Sequence, residues 1–246
     1  MSEQFGQKQP IMERFALRQT FVSIYALSQE HVEAAKESIR EERSHLEDFI
    51  AHDPFFQLTL EPYDRPLRRA PKIVRMMAQA SRPFGIGPMA AVAGAISELA
   101  AEAMMREGAA YAMVENGGDI SVLNDRPVLI GIYAGSSPIR DIALKIPPRT
   151  MPLGLCTSSG TVGPSISFGF ADAAVVIGKT ASLADAGATA LGNAVPAVGD
   201  LSGCFEAIRR PGIQGALVIR GEEMAFWGEV PEICRARVSE DKITRG

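Results

Sequence analysis

The pattern of apolar and polar residues divides this chain into a largely helical first half and a strand-rich second half. Residues 14–26 carry Phe15, Thr20, Phe21, Val22, Ile24 and Tyr25, a β-branched and aromatic set that predicts one strand. Ser28 then offers a helix cap, and Val32, Ala35, Ile39, Leu46, Phe49 and Ile50 recur at helical spacing to about residue 51. Asp53-Pro54 ends that helix. The stretch 54–71 contains Pro54, Pro62, Pro66 and Pro71 and reads as an ordered connector anchored by Phe55 and Phe56. A short helix is expected over 72–81, and a small-residue helix runs from the Pro88 region to about Arg106.

Beyond that helix the apolar runs shorten. Strands are expected at Tyr111–Glu115, Ile120–Leu123, Val128–Tyr133, Ile142–Ile146, Gly154–Thr157 and Ala173–Ile177. The Asn124-Asp125 pair predicts a hairpin joining the second and third of these. A helix starts near residue 182 and ends near Asn193–Pro196. A helix near 203–210 and a hairpin of 214–220 with 224–228, turning over Gly221-Glu222, close the pattern. No fixed-period repeat and no low-complexity linker interrupts it. The fold class expected is α+β: one domain over 1–246 of mostly antiparallel sheet with packed helices. An N-terminal strand, helix and connector (1–70) precede a motif-bearing core (84–195).

Composition narrows the function classes. The 246 residues are 46% hydrophobic and 22% charged, with a net charge of −4, so no basic field awaits nucleic acid or an anionic membrane. The N-terminus lacks the basic and apolar blocks of a signal peptide. The apolar run Pro88–Met105 contains Glu98 and Glu102 and reads as a buried helix rather than a membrane span. Cys156, Cys204 and Cys234 are odd in number and far apart, as expected of reduced core thiols in a cytoplasm. His31, His45 and His52 all precede residue 53, and the first and second of them belong to a helix surface.

Four segments hold the candidate chemistry. Thr180–Ala190 has Asp185 as its only charge, with Thr189 on the same helical face. A carboxylate among alanines needs a partner. A hard cation such as Mg²⁺ is one candidate. The other is a helix N-terminus capped by Ser182, with Asp185 as the third helical residue. Gly85-Ile-Gly87-Pro88-Met89-Ala90 fits a loose dinucleotide pattern but follows a helix rather than a strand, which excludes a Rossmann unit. Its small face admits either another backbone or a flat ligand. Asn116-Gly117-Gly118-Asp119 is a turn whose glycines supply positive φ or bare backbone for a ligand. Cys156-Thr157-Ser158-Ser159-Gly160-Thr161 offers hydroxyls and amides able to nest an anion. Neither a P-loop lysine nor a nucleophile elbow is present, and Cys156 reads as core.

The order of these segments resembles the ApbE superfamily, the FAD:protein FMN transferases, and more closely a shorter cytoplasmic branch of it. Gly87–Gly94, Val114–Asp119, Cys156–Thr161 and Ala184–Ala190 carry the resemblance, across roughly residues 84–195. It implies a site for FAD or a related nucleotide with Mg²⁺. Asp185 and Thr189 would bind the metal with the carbonyl of Ala91, and Asp185 would be the catalytic position. Gly87, Pro88 and Met89, Asn116 to Asp119, and Thr157 to Thr161 would line the nucleotide. It further implies FMN transfer to an acceptor protein or hydrolysis of the FAD pyrophosphate. A non-catalytic nucleotide or small-ligand carrier on the same fold is an alternative, as is a structural or subunit-interface protein. Assembly as a homodimer stays open. The transferases carry a lysine where this chain has Gly94. They also carry a histidine and an Asp-Pro-x-Thr-Gly run where it reads Val162-Gly-Pro-Ser-Ile-Ser-Phe-Gly169.

Overall fold

A computed structural model describes residues 8–159 and 169–236. Eight strands form one antiparallel sheet in the order β1-β2-β3-β4-β7-β8-β9-β10. They are β1 (Ile11–Leu17), β2 (Thr20–Ala26), β3 (Ala112–Asn116), β4 (Asp119–Leu123), β7 (Leu153–Ser158), β8 (Ala173–Gly178), β9 (Ile213–Arg220) and β10 (Glu223–Gly228). A second sheet of order β11-β6-β5 joins β5 (Val128–Ile132), β6 (Ile142–Ile146) and β11 (Glu232–Arg235). The expected α+β class, with a mostly antiparallel sheet and packed helices, is the one observed.

Period-2 alternation explains the layering. In β8, Ala174 and Val176 face one way and join a core with Ala184, Ala188 and Leu191; Ala173, Val175 and Ile177 face the other. That second face is covered by Ile130, Ile132, Leu144 and Ile146 of the small sheet. The central strands are therefore buried on both faces and read as continuous apolar runs. Helices cover the first face. They are α1 (Gln29–His52), the single turn α2 (Phe55–Leu58), α3 (Lys72–Ser81), α4 (Val92–Arg106) and α5 (Ala181–Ala194). Short 3-10 segments occupy Arg82–Phe84, Pro88–Ala91 and Ser202–Ile208.

Ser28 caps α1 as expected, its hydroxyl accepting the His31 N–H, and Val32, Ala35, Ile39 and Leu46 are buried. His31 and His45 lie on α1 but are half-buried. The chain bends by 105° between Lys72–Phe84 and Pro88–Arg106, and among the described residues no single helix is long and apolar enough to cross a membrane. Cys156, Cys204 and Cys234 are free thiols.

The structure corrects several expectations. Residues 14–26 are not one strand but the β1–β2 hairpin, which turns at Arg18 with φ of 53°. Arg18-Gln19 carries none of the usual turn residues, so the reversal left no signal. β4 and β5 do not pair: β4 lies between β3 and β7, whereas β5 pairs with β6. The reason is Asn124. It is fully buried, and its Nδ2 donates to the carbonyls of Arg126 (2.7 Å) and Pro147 (2.9 Å), steering the chain out of the large sheet. The connector is anchored chiefly by Phe56, fully buried with its ring centroid 5.0 Å from that of Tyr63, while Phe55, 44% exposed, has its ring centroid 6.3 Å from that of Tyr63. The expected helix near 203–210 is the 3-10 run, and β11 had no counterpart in the sequence pattern.

This anchoring is testable by chemical denaturation. Phe56→Ala should cost about 3–5 kcal/mol of unfolding free energy, the usual loss for a buried aromatic. Phe55→Ala should cost less than about 1 kcal/mol, since Phe55 lies at the surface, 44% exposed. Equal losses would show that both rings anchor the connector.

Candidate functional site

α4 and α5 cross beside the Asn116–Asp119 turn and the Cys156–Thr157 strand end. Thr180 caps α5, its Oγ1 accepting the Leu183 N–H at 3.3 Å, so Ser182 is not the cap and Asp185 is not in the first turn. Neither α4 nor α5 carries an acid in its own first turn. Each instead supplies the acid that serves the other. Glu98 of α4 accepts the backbone N–H (2.9 Å) and the hydroxyl (2.7 Å) of Ser182 at the start of α5. Asp185 of α5 accepts the Gly94 N–H at 2.8 Å, and the Ala93 N–H as well, at the start of α4. Unpaired N–H groups and the helix dipole make each helix start a place for an anion.

Gly94 makes this crossing feasible. A Cβ there would lie 2.3 Å from the Ala181 carbonyl oxygen and 2.7 Å from Asp185 Cβ. Any side chain at residue 94, the lysine of the transferases included, requires the helices to separate.

The hairpin between β3 and β4 stands beside this crossing. Gly117 and Gly118 have φ of 65° and 99°, the left-handed values that a two-residue turn of this kind requires. Asn116 is buried and donates Nδ2–H to the Ala93 carbonyl at 3.2 Å. The Ser97 hydroxyl, also fully buried, lies 2.9 Å from the same carbonyl and 2.8 Å from the Asp119 carbonyl. On the neighbouring strand the Thr157 N–H donates to the Gly118 carbonyl at 3.2 Å. Asp119 is opposite Cys156 in the β4–β7 ladder. The Cys156 thiol lies within reach of the Asp119 carboxyl and 3.3 Å from the Ala181 carbonyl.

Electrostatics follow from this crowding. Burial pushes the Asp185 carboxyl up to about 7, against the opposing pull of the Gly94 and Ala93 N–H groups. Asp119 is raised well above the carboxylate range by desolvation and then by the charge of Asp185. The Cys156 thiol is pushed well up by burial and by the two acids, so it stays protonated and is no nucleophile. Glu98 is raised by burial, with Ser182 opposing.

Asp185, Asn116, Asp119 and Thr157 are thus brought together. Ala91 is fully buried at the N-cap of α4, and Thr189 is half-buried one turn beyond Asp185. Ser158 is half-buried and Ser159 buried; Gly160 and Thr161 lie outside the described residues. Gly87 is used differently: a Cβ there would meet the Thr59 carbonyl at 2.0 Å, so its small size admits the connector backbone. Pro88 is buried, and Met89 packs into the core beneath α1, α3 and α4. Ser97 and Glu98 are the neighbours that motif reading passed over, and Gly94 was singled out only as the place of the transferases' lysine. A charged residue inside an apolar helix was the available signal for Glu98, and it was used only to exclude a membrane span.

The sheet and helix arrangement is that of the flavin transferases. It matches the apo flavinyl transferase ApbE of Pseudomonas stutzeri with a TM-score of 0.57 at 14% identity, over 91% of this chain and 96% of that one. The ApbE protein of Thermotoga maritima aligns over 97% and 100% with a TM-score of 0.51, also at 14% identity. Residues 9–220 match the family described as AbpE bacteria, and the chain belongs to that family. Among its relatives are the UPF0280 protein of Methanothrix thermoacetophila, 59% identical over 96% of this chain and 100% of the relative, and that of Methanosarcina acetivorans, 54% identical over 96% and 94%.

The raised Asp185 pKa fixes a pH dependence. Between about pH 4 and 7 the folded protein holds a proton that the unfolded chain releases, so stability falls as pH rises through that window. Asp185→Asn cannot ionise and keeps an oxygen for Gly94. Relative to the wild type, it should gain stability at pH 8 compared with pH 4, read as the difference in unfolding midpoints. Asp119 titrates in the same direction, so part of the fall persists in the variant. A variant–wild-type difference independent of pH would show that Asp185 ionises freely.

Proposed function

We propose that this chain binds a flavin-type nucleotide with Mg²⁺ and binds it better than it transfers FMN from it. The observation that carries the reading is the Asp185 carboxyl. It is buried on a helix face of alanine and glycine, is pushed up to about 7 by that burial, and its charge in turn raises a second acid, Asp119. Neighbouring acids, one of which resists ionisation beside the other, favour a shared proton or a cation.

The donor set fits a hard cation. Asp185 accepts the Gly94 N–H on Oδ2, and its remaining lone pairs, the Thr189 hydroxyl and the Ala91 carbonyl would be the protein oxygens for a metal. Among the described residues no three His, Cys, Asp or Glu side chains are spaced to hold a metal. Phosphate oxygens of the ligand would complete the shell, as is usual for Mg²⁺. When bound, the cation would neutralise charge on a pyrophosphate. The turn Asn116–Asp119 and the strand end Thr157–Ser159 would hold the ligand along bare backbone and hydroxyls. The whole chain would act as one domain, in the cytoplasm, with an acceptor protein engaged only if transfer occurs.

Gly94 favours binding over transfer, and so supports the non-catalytic alternative. The helix crossing has no room for the lysine of the transferases, and no histidine follows residue 52. Loss of one charge-stabilising group costs about 10²–10³ in rate while binding survives.

Calorimetry with FAD should show binding that weakens on chelation, weakens similarly in Asp185→Asn, and strengthens as pH rises through about 7. Flavinylation of an ApbE acceptor peptide should be slow or undetectable. Equal affinity in all three cases would reduce Asp185 to a helix cap. Brisk Mg²⁺-dependent flavinylation would restore the transferase reading, and no affinity for any flavin or adenine nucleotide would favour a structural protein.

A further inference from the structure

The Asn-Gly-Gly-Asp turn and Asp185 are joined through a single peptide group. The oxygen of the Ala93–Gly94 peptide accepts the Asn116 Nδ2–H at 3.2 Å, and the N–H of the same peptide donates to Asp185 Oδ2 at 2.8 Å. An amide polarises when its oxygen accepts a hydrogen bond, and its N–H then donates more strongly. The chain from Asn116 through the peptide to Asp185 is therefore cooperative as well as geometric. The Ser97 hydroxyl lies 2.9 Å from the same oxygen and 2.8 Å from the Asp119 carbonyl, so it ties the far side of the turn to the same peptide. Asn116 and Ser97 are buried, so each of these bonds forms away from competing water. A Cβ on Gly94 would lie 2.3 Å from the Ala181 carbonyl oxygen and 2.7 Å from Asp185 Cβ, so α5 packs closely against this peptide.

We propose that Asn116 is a positioning residue for Asp185, acting through the Ala93–Gly94 peptide, with Ser97 as the second brace on that peptide. In this role the Asn116 amide is turned to the helix start and not to the ligand; the ligand meets the turn through the backbone of Gly117 and Gly118. A shift of the hairpin would move the Asp185 carboxyl with it, and the reverse. The inference rests on the proposed nucleotide site for its consequence in binding, but the relay itself is a property of the protein without ligand.

Two measurements separate the relay from the site. The first is the amide resonance of Gly94 in labelled protein without ligand. Asn116→Ala should move it upfield by more than any other amide of α4 and speed its hydrogen exchange; Ser97→Ala should do the same to a smaller degree. The second is FAD affinity in the presence of Mg²⁺. Asn116→Ala should lose about tenfold, the worth of one hydrogen bond to a buried group. The double variant with Asp185→Asn should bind no more weakly than Asp185→Asn alone. If Asn116→Ala does not fold, Asn116→Ser keeps a polar side chain in the turn without the reach to Ala93, and the same shifts are expected. An unmoved Gly94 amide in a folded Asn116 variant overturns the relay, whatever the affinity. A moved Gly94 amide in a protein that never binds FAD keeps the relay and removes the nucleotide site.

Discussion

The reciprocal capping of α4 and α5 is the constraint on which the rest depends. Each helix start leaves N–H groups that must be satisfied, and neither helix satisfies them with an acid of its own. Glu98 and Asp185 exchange this service across the crossing. Breaking either contact leaves a buried carboxyl and buried N–H groups without partners together, which is the expensive case for hydrogen bonds in a core. The crossing must be close for both contacts to form at once. That closeness accounts for the alanine and glycine on the facing sides, which motif reading alone could assign equally to packing or to a ligand.

The crossing also determines where chemistry can occur. An acid that only capped a helix would be held firmly ionised by the N–H groups it accepts. Asp185 is not, because burial outweighs those bonds and moves it to about 7. The large sheet delivers Asp119 and Cys156 against the same spot through the β4–β7 ladder. The charge of Asp185 then opposes ionisation of Asp119, and burial together with both acids raises the thiol. The result is a small region whose charge state responds to pH or to a cation, enclosed by elements that are otherwise rigid and apolar.

Elements with strong local periodicity were legible: α1 with its Ser28 cap, the apolar strands β7 and β8, and the β9–β10 hairpin each carried its own signal. What failed was pairing. Adjacent strands with a turn pair between them predicted a β4–β5 hairpin, but the Asn124 side chain bonds to Pro147 and sends β5 into the other sheet. The β1–β2 turn failed for the opposite reason, since Arg18 adopts a left-handed φ with no residue type to announce it. At the site, the oddity of Asp185 was visible, whereas its partner was not. Gly94 is 91 residues away, and nothing local to either position shows that the two touch.

Gly94 shows how a single missing atom shapes a site. A Cβ there would meet the Ala181 carbonyl oxygen at 2.3 Å and Asp185 Cβ at 2.7 Å, so α4 and α5 would have to shift at the point where the two caps are exchanged. A lysine at this position and the reciprocal cap are therefore alternative solutions to one problem. A lysine here would bring a mobile cation to the site and would require a wider crossing. The glycine closes the crossing and uses the helix dipole and backbone N–H groups as the positive charge near Asp185. Fixed backbone dipoles hold an anion well but cannot follow charge as it moves during a reaction. The glycine at residue 94 thus sets the character of this crossing: its positive charge is fixed in the backbone and not carried on a mobile side chain.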